Sequence, residues 1–302
     1  MGRLGTHDQD QDQDQDQDQD QHEGGGRRRM LQNSGIYATQ LAPGLFPSED
    51  DPHYKKAQEL ANEVKHPEWW NPELKAYIYL DELIKGYPAW QKTMTDAIDP
   101  LYDDLQRRKG AQLRAILELA DEREKRYGEI VDQHGAEGAI KYWMRMLQIT
   151  PASAPATHQL IRIGRRIGEH VVMVLKNHYN EARPSQICPA IMPMIEVPSH
   201  PTFPAGHALQ SHLISKCLEA AKRLRGQPEM LFHLSRRVAQ NRIVAGLHYP
   251  LDNEAGVIAA NECFAMLSQG KLFKELVQDA RLESARELEP RGARRKRDHE
   301  QA

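Results

Sequence analysis

An all-α fold, a compact bundle of about ten helices with a proline-rich active-site loop, is what this sequence predicts, on three observations. Between about residue 50 and residue 287, apolar residues recur at spacings of three and four, the period of a helix face. Breakers punctuate that pattern at intervals ordinary for globular helices. Two-residue alternation, the mark of a half-buried strand, is absent, and so is any internal repeat of about 20–50 residues.

The elements follow in chain order. Residues 1–48 read as a disordered tail and linker: seven Asp-Gln repeats fill 8–21, then come Gly24-Gly25-Gly26 and Arg27-Arg28-Arg29. No apolar side chain falls within 8–29 to offset the entropy of ordering. The helical domain spans 49–287. Pro72 and Gly86-Tyr87-Pro88 are its first breakers. Leu113, Ile116, Leu117 and Ala120 mark one helix face, and Arg107-Arg108-Lys109 before Gly110 reads as a cation-rich helix C-terminus. Gly135 and the run Pro151 to Pro155 come next. Leu160, Ile163, Ile167, Val171, Val174 and Leu175 then trace a longer helix. Arg183 to Pro204 holds six prolines, a long stiff loop that suits the wall of a binding site. Pro204-Ala205-Gly206-His207 opens a helix through Leu209, Leu213 and Leu218. Gln227-Pro228 precedes another, and Pro250 starts the next. Residues 288–302 form a basic tail.

The chain has 302 residues, 39% hydrophobic and 27% charged, enough to bury a sizeable core. Its net charge is −3, and without the seven Asp of the repeat tract the remainder is +4. That balance excludes a globally basic nucleic-acid binder and a strongly acidic disordered chain. Cys188, Cys217 and Cys263 are odd in number and lack CxxC spacing, so neither a disulfide framework nor a zinc knuckle is expected. No apolar run approaches the ~20 residues of a membrane span, and no apolar stretch follows Met1 as in a signal peptide. The expectation is a soluble, cytoplasmic protein with no integral membrane segment and no nucleic-acid partner; a homodimer is left open. Trp69-Trp70, Tyr77-Ile78-Tyr79-Leu80 and Trp143 read as core.

Chemistry concentrates in three clusters around the proline-rich loop. Lys176 stands seven positions before Arg183-Pro184. Phe203-Pro204-Ala205-Gly206-His207 follows. Asn241-Arg242 precedes His248 and Asp252. Arg183 and Arg242 offer planar forks of donors that match a tetrahedral oxyanion, and Lys176 adds a point charge. Gly206 at a helix N-terminus lets an anion approach free backbone N–H groups. His248 has a carboxylate four residues on, Asp252, to hold its far nitrogen while the near nitrogen attacks. His207 is left as general acid. His200, His207 and His212 lack good spacing for one helix face and no Cys accompanies them, so no metal site is expected.

Lys-x6-Arg-Pro, then Pro-x-Gly-His, then Arg-x5-His-x3-Asp resembles the three-part signature of the type 2 phosphatidic acid phosphatase superfamily. That superfamily includes bacterial class A acid phosphatases, lipid phosphate phosphatases and vanadium haloperoxidases. The match covers 176–252, about a quarter of the chain. It departs from the pattern at Ala205 and Asn241, where the signature has serines. The first serine would donate to the bound oxyanion, a bond worth about 1.5–3 kcal/mol.

The resemblance implies a soluble bacterial phosphoric monoester hydrolase. His248 would form a phosphohistidine, Asp252 would orient it, and His207 would serve as acid and then base. Lys176, Arg183, Gly206 and Arg242 would hold the phosphoryl oxygens of a small phosphorylated substrate, with no cofactor. The alternative it implies is a vanadate-dependent haloperoxidase, in which His248 ligates vanadate in the same pocket.

Overall fold

In a computed structural model, the described residues are 70–287 without 136, 223 and 225–227. The Asp-Gln tail, residues 49–69 of the expected helical domain and the basic tail at 288–302 lie outside them. Among the described residues no strand occurs, and every regular element is helical, as the spacing predicts. The α-helices are α1 (Pro72–Gly86), α2 (Trp90–Glu118), α3 (Arg123–Asp132), α4 (Ile140–Leu147), α5 (Pro155–Tyr179), the single turn α6 (Pro184–Ile187), α7 (Gly206–Ala220), α8 (Glu229–Val244), α9 (Pro250–Leu267) and α10 (Lys271–Glu287). None of them is long and apolar enough to cross a membrane.

Local chemistry accounts for the helix starts. Asn71 Oδ1 accepts from the Glu73 amide at 2.9 Å, and Pro72 opens α1. The N-terminus of α5 is capped from another helix: the Glu283 carboxylate accepts from the Ala156 and Thr157 amides at 2.7 and 2.9 Å. Glu82 does the same for α10 through the Lys271 amide at 2.9 Å. By contrast, no side chain caps the N-terminus of α7.

The centre of the bundle is an antiparallel pair, α5 against α7. Gly164 faces Ile214, Gly168 faces Leu209 and Gln210, and Val172 faces Gly206. A Cβ on Gly164 would stand 2.8 Å from the Ile214 Cα, so only glycine permits this approach. Leu160, Ile163, Ile167, Val171 and Leu175 of α5 are buried at this seam, as their spacing predicts. α1 and α10 pack on α5, α8 and α9 on α7, and α2 on α9.

Two sequence expectations are met only in part. The helix end expected at Arg107-Arg108-Lys109 before Gly110 is a kink: Arg108 (φ −113°, ψ 20°) leaves helical geometry, but α2 runs on through Gly110. A helical glycine costs only about 1 kcal/mol relative to alanine. Burial of Met94, Ile98, Leu105 and Ile116 along one face exceeds that. Lys109 Nζ, just past the kink, pairs with Glu181 at 2.8 Å. Second, Trp70, Tyr77 and Ile78 are exposed rather than core, whereas Tyr79, Leu80 and Trp143 are buried. Alternation of faces along α1 explains the split.

The proline-rich segment carries α6 and a 3-10 turn (Pro189–Ile191) within an otherwise irregular path. Its later part, with Pro198 and His200, forms one wall of the cavity described next.

Candidate active site

A cavity of about 280 Å³ runs beside the α5–α7 seam. Lys176, Arg183, Gly206, His207, Arg242 and His248 all line it. Six of the seven site residues read from the sequence therefore meet at one cavity, although they come from α5, the proline-rich segment, α7, α8 and the turn before α9. The seventh, Asp252, stands directly behind His248.

The histidine–aspartate pair is defined by its partners. His248 Nδ1 lies 2.9 Å from Asp252 Oδ2, and His248 Nε2 lies 3.3 Å from the Arg183 Nη1. A carboxylate only accepts and a guanidinium only donates. These neighbours assign the proton to Nδ1 and the lone pair to Nε2, which faces the cavity's cations. Asp252 is fully buried in the first turn of α9, where its Oδ2 also accepts from the Tyr249 amide at 3.0 Å and from the Thr202 hydroxyl. Burial pushes this carboxyl up to about 6, opposed by the Thr202 hydrogen bond and by Lys176. Burial and then the Arg183 charge push His248 well below the ordinary imidazole range, so the ring is neutral near pH 7.

The three cations are almost wholly buried. Lys176 Nζ donates to the Thr202 carbonyl at 2.7 Å, and burial followed by Arg183 drives its value well down. Arg183 Nη1 donates to the Leu247 carbonyl at 3.0 Å and Nε to the His200 carbonyl at 3.1 Å. Arg242 Nη2 donates to the Ile130 carbonyl at 2.8 Å, but its Nε and Nη1 are buried and meet no protein acceptor. Burial lowers both arginines to about 10. Unpaired donors on buried cations are costly, and an oxyanion in the cavity would satisfy them.

Gly206 is the first residue of α7. A Cβ there would meet only Val172 Cγ1, at an ordinary 3.6 Å. Protein packing alone does not demand glycine, and the small residue leaves the uncapped helix N-terminus open toward the cavity. His207 donates from Nε2 to the Gln133 carbonyl at 3.0 Å, just beyond α3. Burial and then Arg242 lower it to about 3. An incoming anion reverses the local field and favours its protonation.

The remaining candidates separate. Ala205 does not line the cavity: its methyl is fully buried with Ala208 and Ala239, and its amide donates to the Asp252 carbonyl at 2.9 Å. Asn241 faces α3, donating to Glu129 at 3.0 Å and Gln133 at 2.9 Å. His212 donates to the Ala208 carbonyl, and His200 Nδ1 sits 3.1 Å from Arg183 Nη2. Among the described residues no cluster of three His, Cys, Asp or Glu side chains could hold a metal.

Thr202 is the residue that the sequence reading missed. Its hydroxyl bonds Asp252 and lies 3.0 Å from His248 Nδ1, while its carbonyl holds Lys176. A threonine before Phe203-Pro204 carries no local signal of this role; only the fold brings it to the pair. No family model and no curated protein matches the chain.

Proposed function

We propose that the protein is a phosphoric monoester hydrolase that works through a phosphohistidine on His248. The single observation that carries the reading is the environment of that ring: a carboxylate acceptor at Nδ1 and the Arg183 guanidinium donor at Nε2. The three-part sequence pattern supports the same roles.

In the first step the Nε2 lone pair attacks phosphorus while the bond to the leaving oxygen breaks. His207, protonated once the dianion is bound, gives that oxygen a proton. Lys176, Arg183, Arg242 and the N-terminus of α7 hold the three other phosphoryl oxygens. In the second step His207 takes a proton from water, the hydroxide attacks phosphorus and the P–N bond breaks. Phosphate leaves and Nε2 regains its lone pair. Asp252 stays ionised throughout and balances the imidazolium charge.

The test is p-nitrophenyl phosphate hydrolysis by the full chain across pH 4–9. Vanadate inhibits, EDTA leaves the rate unchanged, and His248→Ala lowers kcat by about 10³-fold or more. No phosphate release, or equal rates in the variant, overturns the reading. Bromination by vanadate-loaded protein with peroxide, without phosphate release, would transfer the site to the haloperoxidase alternative.

A further inference from the structure

We infer that the leaving group this site accepts is a compact apolar alcohol, an aryl or short branched alkyl group, rather than a sugar or nucleoside. The inference rests on the phosphohydrolase reading and concerns the part of the cavity that the reading leaves unused.

The cavity is elongated, and its two ends differ. Along α7 the lining residues are Gly206 and His207, then Gln210 and Ser211, then Ile214. From His207 to Ile214 that is about 10 Å of helix. Antiparallel to it, α5 presents Lys176, then Val172 and Met173 level with Gly206, then Glu169 and Arg165 toward the level of Gln210 and Ile214. The oxyanion end therefore lies at the N-terminus of α7, and His207 stands between it and the far end. A proton given by His207 places the ester oxygen there, and the alcohol's carbon skeleton extends toward Ile214.

The walls that α4, α8 and the end of the α7 stretch give that far end are carbon. Ile140 and Trp143 from α4, Ile214 from α7 and Val238 from α8 line it, and all four belong to one apolar cluster. Trp143 has turned its N–H away to Ser215 Oγ, at 3.0 Å. The polar side chains that α5 and α7 place beside it have protein partners. Gln210 donates to the Arg165 carbonyl and Ser211 to the Ala208 carbonyl; Arg165 pairs with Glu73 and Glu169 with Arg166. A sugar's hydroxyls would be set against the apolar side chains of α4, α7 and α8, which offer them no hydrogen bond. Size points the same way. A cavity of roughly 150 Å³ accommodates benzene. The 280 Å³ present leaves, beyond a ring, about four waters' share of volume for the phosphoryl group.

The experiment compares two primary-alcohol esters of similar size, cyclohexylmethyl phosphate and glucose 6-phosphate, with full-length protein. In parallel, calorimetry measures inorganic phosphate and benzylphosphonate. Expected are a kcat/KM preference of at least about tenfold for the cyclohexylmethyl ester and benzylphosphonate binding at least about tenfold tighter than phosphate. Ala139→Ser, at a half-buried position against the same apolar cluster, and Val238→Thr each cut that advantage by about fivefold and leave phosphate affinity unchanged. Phosphate binding without any advantage for the apolar ligands overturns this inference and leaves the oxyanion site standing. Failure of both phosphate and phosphonate to bind overturns the proposed function along with it.

Discussion

Asp252 holds its charge in a dry site because three donors converge on one oxygen: the His248 ring, the Tyr249 amide and the Thr202 hydroxyl. Lys176 and Arg183 face it as well and favour ionisation. Even so, burial sets its value at about 6, so acid protonates it and releases the His248 Nδ1 proton from its acceptor. Activity therefore falls as pH drops through about 6, read in kcat/KM, which reports the free enzyme. Stability moves oppositely: a carboxyl raised above its ordinary 3.8 contributes stability that is lost as pH rises through about 6. Thr202→Val removes one donor. A hydrogen bond to a charged group is worth about 1.5–3 kcal/mol, and one pKa unit about 1.4 kcal/mol. The acid limb should move up by about one to two units, and Thr202→Ser should restore it. An unmoved limb in Thr202→Val would show that the hydroxyl only packs.

At the scale of the element, close helix approach positions these groups. Gly256 of α9 lies where a Cβ would stand 2.7 Å from the Ala205 carbonyl oxygen and 2.8 Å from Ala208 Cβ. Gly256→Ala must push the start of α9, with Asp252, away from the N-terminus of α7. We expect a loss of about 1–3 kcal/mol in urea unfolding and a raised KM. Gly110→Ala is the control: exposed within α2, with nothing within 4 Å of a new Cβ, it should gain about 1 kcal/mol. Equal effects at the two sites would refute the packing account. The helices themselves were legible because periodicity is local: the α5 face from Leu160 to Leu175 is buried as its spacing requires. The motif residues were legible for the same reason, as each cluster is short. Thr202 was not, because its partner lies 50 residues on. Nor was the continuation of α2 past the kink at Arg108, which rests on tertiary burial of Leu105 and Ile116 on either side of it.

At the scale of the molecule, folding gathers Lys176, Arg183 and Arg242 into one buried region with the carboxylate of Asp252 among them. The free protein carries that uncompensated charge as a standing cost, since desolvated cations repel and Arg242 retains two unmet donors. A bound dianion offsets both, so ligand binding and global stability are linked. At phosphate near 100 Kd the stabilisation is about 2.7 kcal/mol. For a folded unit of this size, that raises Tm by about 5–10 °C. Sodium chloride of equal ionic strength should not reproduce the rise, which separates binding from screening. Arg242→Met sharpens the argument, because it exchanges a buried charge for an apolar side chain of similar length. The ligand-free Tm should hold or increase, and the phosphate-induced rise should collapse. A sharp fall in the ligand-free Tm would instead make the Ile130 carbonyl contact the reason for this arginine, and α3, rather than an anion, its partner.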